Sequence, residues 1–214
     1  MLKISRMHTR KHGFHIALII LGALIHGQSL ACQPPDGFVN PLRPDIAPLE
    51  KLLSHTERKI VSQSLAEVMK GAARPLEEAI RPTKDLPGVS GTFRLSNGPY
   101  GTVGARRLVC LTDGSIAVEE VLLTESNGST NRFRYVVWGY TNPKFRDVAY
   151  AVGEFVRTQP TPETTQVDWT YRFALKDGVS TEDATRFKTV FLEQQFALWM
   201  RNVLGTAETS SAGE

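Results

Sequence analysis

Polar and apolar side chains alternate along much of the chain between about residue 87 and residue 175, a pattern that predicts β-strands. The clearest case is TTQVDWTYRF, residues 164–173, where every second residue from Val167 to Phe173 is large and apolar. A period of two places these residues on one face of a strand. Aromatic side chains are costly to leave in water, so this face lines either a solid core or a ligand cavity.

Five further segments before this one have strand-like composition. They are GVSGTFRLS, GTVGARRLVCL, SIAVEEVLLTE, NRFRYVVWGY and RDVAYAVGEFVRT. The segments between them are short and rich in turn residues, and the pair Asp113-Gly114 favours a tight hairpin. Six strands joined by short turns predict an antiparallel meander.

Helical spacing appears on both sides of the predicted meander. Apolar residues at 49–67 largely fit this spacing and predict an extra N-terminal helical segment, although SLAEVMKGA at its end fits a strand equally well. RPLEEAIRP predicts a short helix between Pro75 and Pro82. After the last strand, Ser180 or Thr181 caps a long helix that ends at Gly205.

The long C-terminal helix has an apolar face broader than a surface helix requires. One stripe contains Leu192, Phe196, Trp199 and Val203, and a neighbouring stripe contains Phe187, Phe191 and Leu198. Since the sheet must bury one face, this helix is the expected cover.

The first 31 residues have the pattern of a secretory signal peptide. Four basic residues precede an apolar run from Phe14 to Ile25, and Ser29-Leu30-Ala31 forms a small-x-small cleavage site. A retained membrane anchor fits less well, because a helix needs ~20 residues to span a bilayer. The rest of the chain is therefore expected to be exported, either to the periplasm or to the cell envelope.

Cleavage after Ala31 leaves Cys32 as the first residue. SLAC resembles a bacterial lipobox, in which that cysteine receives lipid, except that Ser29 stands where an apolar residue is usual. Lipidation of Cys32, with membrane attachment through it, and plain cleavage both remain open. Residues 32–48 contain five prolines within QPPDGFVNPLRPDIAP and are expected to form a semi-rigid tether.

The net charge of the chain changes sign when residues 1–31 are excluded. The whole chain has 25 basic and 22 acidic residues, but four basic residues and no acidic one lie in this stretch. The remainder carries a formal charge of −1, so nucleic acid is not an expected partner. Only His55 remains of five histidines, and its polar neighbours in SHTERK predict an exposed side chain.

Two cysteines and one histidine provide few ligands for a metal site and few residues for a catalytic triad. A Cys/His zinc site and a Ser-His-Asp triad are both disfavoured, and no metal or cofactor is expected. Cys32 and Cys110 could pair in an exported protein. Because Cys110 lies within a predicted strand, a buried thiol is favoured for it, and lipidation of Cys32 excludes the disulfide.

Several motifs, taken in order, resemble the START-like, or SRPBCC, superfamily of polyketide cyclase/dehydrase and lipid-transport type. RPLEEAI resembles its early helix, and LPGV resembles the opening of its sheet. GTVGARRLVCLTDGSIAVEEVL resembles the stretch in which Gly104, Arg107, Asp113-Gly114 and a glutamate at 119 or 120 recur. FRYVV, TTQVDWTYRF and FLEQQFALWMRNVL resemble later elements, so the resemblance covers about residues 68–205.

The resemblance implies an α+β helix-grip (START-like) fold, in which a curved antiparallel β-sheet wraps around the long C-terminal helix. Residues 49–205 would form this domain, and residues 206–214 a disordered tail. Members of the superfamily enclose a mostly apolar cavity and bind lipids, sterols, polyketides or other hydrophobic small molecules; some cyclise or dehydrate them. The expected partner is such a molecule, and the expected state is a monomer.

Eight residues are candidates for ligand binding: Arg107, Glu120, Tyr135, Trp169, Tyr171, Phe173, Phe191 and Trp199. The aromatic residues either line a cavity or pack as core. Arg107, which alternates with Ala105 and Val109, either anchors a ligand with Glu119 or Glu120 or forms an exposed cross-strand ion pair; the exposed pair is favoured. Tyr140 and Tyr150 are further hydrogen-bond candidates, and residues 99–101 and 141–145 are candidate gating loops.

Three functions fit the sequence. The favoured one is binding of a hydrophobic small molecule without chemistry, with no catalytic residue. The second is a cyclase or dehydratase that uses Arg107, a nearby glutamate and a pocket tyrosine. The third is an envelope interaction module with a solid interior. A cavity distinguishes the first two from the third, and polar groups converging on that cavity distinguish the second from the first.

Overall fold

A computed structural model describes residues 32–72 and 74–205 of the 214-residue chain. The expected signal peptide at 1–31 and the expected disordered tail at 206–214 lie outside the described residues. Within these two ranges, no helix combines the length and the apolar character that crossing a membrane requires.

Seven antiparallel strands form one sheet in the order β1-β7-β6-β5-β4-β3-β2. Their bounds are β1 Leu53–Val61, β2 Val89–Arg94, β3 Arg106–Leu111, β4 Ile116–Ser126, β5 Thr130–Trp138, β6 Val148–Thr161 and β7 Thr164–Leu175. The six strands of the predicted meander are confirmed as β2 to β7. Each pairs with its neighbour in sequence, as short turns require.

The predicted helical segment at 49–67 is wrong. A single 3-10 turn, Leu49–Lys51, leads into β1, which pairs with β7 at the edge of the sheet. Side chains of β1 alternate between half-buried and exposed, but the half-buried set includes His55, Glu57 and Lys59. Because these half-buried residues are polar, the sequence of β1 does not show the alternation of apolar and polar residues that indicates a strand. His55 is accordingly half-buried rather than exposed, and its ring nitrogen lies 2.7 Å from a carboxylate oxygen of Glu57.

Two short helices follow β1. Helix α1, Leu65–Ala72, resolves the ambiguous SLAEVMKGA as helix, and its buried residue is Leu65. Helix α2, Leu76–Ala79, is the predicted short helix and has Pro75 at its N-cap. Glu77 and Glu78 lie in its first turn, where carboxylates interact favourably with the helix dipole.

The C-terminal helix consists of three consecutive segments: Thr181–Arg186, Phe187–Phe196 and Ala197–Leu204. The hydroxyl of Ser180 accepts a hydrogen bond from the backbone N–H of Asp183, and the helix ends at Gly205 with φ of 68°. These ends agree with the predicted caps. The middle segment is a π-helix, whose turns hold more residues than those of an α-helix.

The π segment changes which residues of this helix face the sheet. Phe187, Phe191, Phe196 and Met200 are buried, so the spacing between them is four, five and four residues. Leu198, expected in the second apolar stripe, is 38 % exposed. The extra residue in the wide turn rotates Leu198 toward solvent.

The aromatic face of β7 packs on this helix, which confirms the predicted strand register. Trp169 and Phe173 are 2 % and 1 % exposed. The ring of Trp169 lies 5.5 Å from that of Trp199, and the ring of Phe173 lies 5.1 Å from that of Phe196. These are typical distances for aromatic pairs, which stabilise a core beyond the area they bury. The inner face of the sheet therefore holds the main core.

Residues 32–48, here called the strap, cover the outer face of the sheet. The expectation of a semi-rigid tether is wrong, because Phe38 and Ile46 pack on a second core cluster formed by buried residues of β3 to β6. The backbone N–H of Ala47 donates to the hydroxyl of Tyr150 over 2.8 Å. The strap has no helix or strand, as its prolines predict.

A disulfide joins Cys32 at the start of the strap to Cys110 in β3. The prediction of a buried free thiol at Cys110 is therefore wrong, since the strap brings a second cysteine to the outer face of the strand. The disulfide uses the Cys32 sulfur, the atom that a lipid would need, so this pairing and lipidation of Cys32 exclude each other.

Reduction of this disulfide should destabilise the fold, because the bond closes a loop with a sequence separation of 78 residues. We expect Cys32→Ser and Cys110→Ser each to lower the free energy of unfolding by about 2–4 kcal/mol, measured by urea unfolding. Reductant should leave the urea midpoint of the Cys32→Ser/Cys110→Ser double variant unchanged. In reductant, the urea midpoint of the wild-type chain should fall toward that of the double variant. Equal wild-type midpoints with and without reductant would contradict the pairing.

Candidate functional site

A cavity of about 90 Å³ lies between the inner face of the sheet and the C-terminal helix. Strands β3, β4 and β5 supply Val109, Ala117 and Val137 to its wall, and the helix supplies Phe196 and Trp199. The remaining apolar wall comes from residues 75–89, here called the α2 segment, and from Leu111 and Phe145. Its lining is largely apolar, and the exceptions are Glu119, Tyr140 and Tyr171.

The α2 segment is held against the sheet by its own backbone. The N–H of Val89 donates to the carbonyl of Ile80 over 2.9 Å, which closes a loop directly after α2. A Cβ at Gly88 would lie 2.8 Å from that same carbonyl oxygen, so this close approach requires glycine. The LPGV motif thus brings Leu86 and Pro87 to the cavity wall.

Arg107 and Glu119 form a largely buried ion pair beside the cavity. The Nε of Arg107 donates to Glu119 over 2.5 Å, and the two side chains are 16 % and 6 % exposed. The favoured expectation of an exposed pair is wrong, because both residues lie on the inner face with Val109 and Ala117. Glu119 itself lines the cavity.

Glu120 is not a cavity residue, which corrects the prediction. It points to the outer face, where Arg106 donates to it over 2.5 Å and Arg43 of the strap lies 3.5 Å away. The register of the β3–β4 hairpin pairs Arg107 with Glu119 and Arg106 with Glu120. The turn at Asp113-Gly114 sets this register, so the sequence contained the signal that distinguishes the two glutamates.

The ring of Tyr100 covers the ion pair. The guanidinium carbon of Arg107 lies 3.5 Å from the ring centroid, a cation–π contact. Burial by itself would lower the pKa of Arg107, but the charge of Glu119, the electrostatic interaction with Tyr100 and the hydrogen bond to Glu119 together outweigh burial, and the pKa is raised. Burial, and then the charge of Glu119, raises the pKa of Tyr100 well above its usual value. At neutral pH the site therefore contains a charged arginine and a protonated tyrosine.

A second polar group lies deeper in the aromatic core. The hydroxyl of Tyr135 donates to that of Tyr171 over 2.9 Å and accepts from the indole N–H of Trp169 over 3.2 Å. Burial raises the pKa of both tyrosines. Gly153 makes room for Tyr135, since a Cβ there would lie 2.3 Å from the phenol ring.

Residues 141–145 form one side of the cavity instead of a free gate. The side chain of Asn142 donates to Asp113 over 2.7 Å and so attaches this loop to the β3–β4 turn. Phe145 is buried and stacks on Tyr140, with 4.5 Å between ring centroids. Burial raises the pKa of Tyr140 well above its usual value.

The predicted ligand-binding residues separate into three groups. Tyr171 and Trp199 line the cavity. Trp169, Phe173, Phe191 and Tyr135 are buried in the core beside or behind that wall, and Arg107 reaches it through Glu119. Glu120 is on the outer face, as is Tyr150, which bonds the strap. The sequence reasoning missed Ala117, Val137 and the residues of the α2 segment, for which the LPGV motif was the available signal.

Across residues 32–72 and 74–205, no group of three or more histidine, cysteine or acidic side chains is arranged to hold a metal ion.

Comparison with known proteins supports the fold. No family model matches the chain, and no curated protein matches it. Among solved structures, that of Ara h 8.0201 has a TM-score of 0.50 and 13% identity, and the match covers 72% of this chain and 93% of that one. The chain has the helix-grip fold.

Two further solved structures resemble this helix-grip chain. A START superfamily protein from Mycobacterium smegmatis has 13% identity and a TM-score of 0.48, over 72% of this chain and 97% of that one. The Zhui aromatase/cyclase from Streptomyces sp. R1128 has 17% identity and a TM-score of 0.48, over 75% and 98%.

Substitution of Gly153 should disturb the tyrosine cluster. We expect Gly153→Ala to lower the free energy of unfolding by about 1–3 kcal/mol, because the added methyl overlaps Tyr135. The Gly153→Ala/Tyr135→Ala double variant should lose less unfolding free energy than the two single variants lose in sum. In a double-mutant cycle this difference is a coupling energy above ~0.5 kcal/mol. The matched control is Gly71→Ala in α1, where a Cβ meets nothing; it should be neutral or stabilising. Additive effects at Gly153 and Tyr135 would contradict the contact.

The buried tyrosines should make the fold sensitive to alkali. The pKa values of Tyr100, Tyr135, Tyr140 and Tyr171 are raised in the folded state. The folded chain then holds more protons than the unfolded chain above pH ~10, so stability is complete below that pH and falls as pH rises. Thermal midpoints between pH 8 and pH 12 measure this fall. It should be shallower in a Tyr135→Phe/Tyr171→Phe variant, and an unchanged slope would count against these two hydroxyls.

Proposed function

We propose that this chain binds a largely apolar small molecule in the cavity between sheet and C-terminal helix, without changing it chemically. The observation that carries the proposal is the apolar cavity of about 90 Å³ beside a buried Arg107–Glu119 pair. Core voids are normally filled, and a polar group placed at an unfilled one gives a ligand a fixed orientation.

The cavity must expand to admit a ligand of ordinary size. Its volume is equivalent to about three waters, whereas ligand pockets usually measure ~300–1,000 Å³. The sheet and the C-terminal helix form most of its wall and are fixed by aromatic packing. The α2 segment contains one helix of four residues, Leu76–Ala79, and is the wall with the least secondary structure. Binding is therefore expected to displace this segment.

The polar groups of the cavity suit a hydrogen-bonding ligand better than they suit acid–base chemistry. The raised pKa values of Tyr140 and Tyr171 keep both phenols protonated at neutral pH. The carboxylate of Glu119 is an acceptor and is held by Arg107. A hydroxyl group on an otherwise apolar ligand would complete this arrangement by donating to Glu119.

The cyclase or dehydratase alternative rests on one observation, that Glu119 and Tyr171 both line the same cavity. Chemistry would require both groups to reach the reacting atoms of one ligand. A ligand recovered unchanged after prolonged incubation favours binding alone, whereas a cyclised or dehydrated product favours the enzyme. An interaction module with a solid interior is disfavoured by the cavity.

Export of the chain is part of the proposal. The signal-peptide pattern at residues 1–31 and the Cys32–Cys110 disulfide support it, because disulfides persist mainly in oxidising compartments. Mass spectrometry of the protein from its native envelope would test both points. The intact mass gives the N-terminal residue and any lipid on it, and native conditions retain a stoichiometric ligand.

Filling the cavity should weaken binding. We expect Ala117→Val and then Ala117→Leu to weaken binding of the neutral fluorescent probe N-phenylnaphthylamine progressively, by about tenfold or more for leucine, because both place carbons in the space a ligand needs. Ala66→Leu on the exposed side of α1 is the matched control and should leave probe affinity unchanged. Equal affinity in all four proteins would exclude this cavity as the site.

Trp169→Ala tests whether Trp169 belongs to the cavity wall or to the packed core. Trp169 is buried in the aromatic core and is not among the cavity-lining residues. Its truncation should lower the free energy of unfolding by about 3–5 kcal/mol, measured by urea unfolding. A Trp169→Ala protein that keeps wild-type stability but loses probe binding would place this residue in the ligand site after all.

A further inference from the structure

Among the described residues, two largely buried arginines, Arg107 and Arg157, lie on the inner face of the sheet. Arg107 is paired with Glu119. Arg157 in β6 is 7 % exposed, and its Nη1 donates to the side-chain oxygen of Asn131 over 2.9 Å. Its guanidinium carbon lies 4.6 Å from the ring centroid of Phe155. Among the residues that the structure describes, no aspartate or glutamate forms an ion pair with Arg157.

The other arginines of the sheet that are buried or half-buried each have a carboxylate partner. On the outer face, Arg132, Arg134 and Arg172 all contact the buried carboxylate of Glu154, at 2.7 to 3.1 Å. Arg106 likewise has Glu120. A buried charge is costly unless a counter-charge or several hydrogen bonds compensate it. Arg157 has five N–H donors, of which the Asn131 contact uses one.

Arg157 remains a cation despite its burial. Burial lowers its pKa to about 10, still well above neutral pH. Asn131 is itself buried and fixed, since its amide nitrogen donates to the backbone carbonyl of Glu125 over 3.2 Å. The guanidinium is therefore held between a fixed amide and an aromatic ring, with no carboxylate partner among the described residues.

The location of Arg157 connects it to the cavity. Tyr171, which lines the cavity, is paired with Gly153 of β6, and Arg157 lies four residues further along the same strand on the same face. Four residues of strand span ~13 Å. Between the two points lie the stacked rings of Phe155 and Trp169, with 4.8 Å between their centroids. Trp169 is buried and Phe155 is half-buried, so a ligand that reaches both the cavity and the guanidinium would lie against the ring of Phe155.

We propose that Arg157, oriented by Asn131 and Phe155, binds the anionic group of an amphipathic ligand, a carboxylate or a phosphate monoester, whose apolar part occupies the neighbouring cavity. This proposal rests on the proposed function and adds the class of ligand. Arg107 is not suited to the role, because Glu119 already neutralises it and would repel a second anion. Arg157 offers the ligand a charge-assisted contact that no described residue supplies.

The test compares probes that share an eight-carbon chain and differ only in the terminal group: octanoate, octyl phosphate and 1-octanol. Affinities are measured by displacement of N-phenylnaphthylamine at pH 7.5, where the carboxylate is ionised. We expect the wild-type chain to bind at least one of the two anions about tenfold or more tightly than octanol. The anion bound more tightly identifies the source, a carboxylic acid or a phosphate ester.

Arg157→Gln should abolish the preference for anions and leave octanol affinity unchanged. Arg58→Gln is the matched control, because it removes the same charge from an exposed position on β1 and should keep the preference. Arg157→Lys retains the positive charge and should keep part of the preference for anions. If Arg157→Gln does not fold, Arg157→Met gives the same readout with a side chain that buries no polar group.

The outcomes separate this inference from the proposed function. If octanol binds and neither anion binds more tightly, or if the preference survives in Arg157→Gln, the anion site is wrong and the cavity proposal stands. If neither N-phenylnaphthylamine nor any octyl compound binds, the cavity proposal fails and the anion site fails with it.

Discussion

The packing of the aromatic face of β7 against the C-terminal helix holds the two layers of this fold together. Trp169, Tyr171 and Phe173 meet Phe196 and Trp199 through ring contacts of 4.9 to 5.5 Å. Because rigid rings set the separation of the layers, space remains where the facing residues are small, as at Ala117. The cavity is thus a consequence of the way the core is packed, because aromatic side chains separate the two layers and Ala117 leaves space between them.

The charged residues are arranged differently on the two faces of the sheet. On the outer face, arginines and glutamates occur in mutually compensating groups beneath or beside the strap. On the inner face, Arg107 and Glu119 compensate each other at the edge of an apolar space, while Arg157 has an amide and a ring as its neighbours. Buried polar groups that lack a full set of partners are sites where a bound molecule gains most from an added contact.

The sequence predicted those parts of the fold that have a regular period. The alternation in β7 gave the correct strand face, and the caps at Ser180 and Gly205 gave the ends of the C-terminal helix. The strap was missed because Phe38 and Ile46 follow no helical or strand period, and their burial depends on contacts with β3 to β6. The α2 segment and Phe145 were not recognised as cavity wall for the same reason: a cavity is a property of distant segments together. The outward rotation of Leu198 depends on a π segment, for which composition offers no rule.

The charged residues of β1 have a consequence beyond their effect on prediction. β1 is an edge strand, and one side of its backbone is paired with β7. An unpaired strand edge is a template on which another chain can add, which is a common start of aggregation. The sequence Glu57-Arg58-Lys59 places charges of both signs along this edge, and desolvating them would oppose such addition. The same side chains that hide the strand from a hydrophobicity pattern thereby protect the sheet from growing at this side.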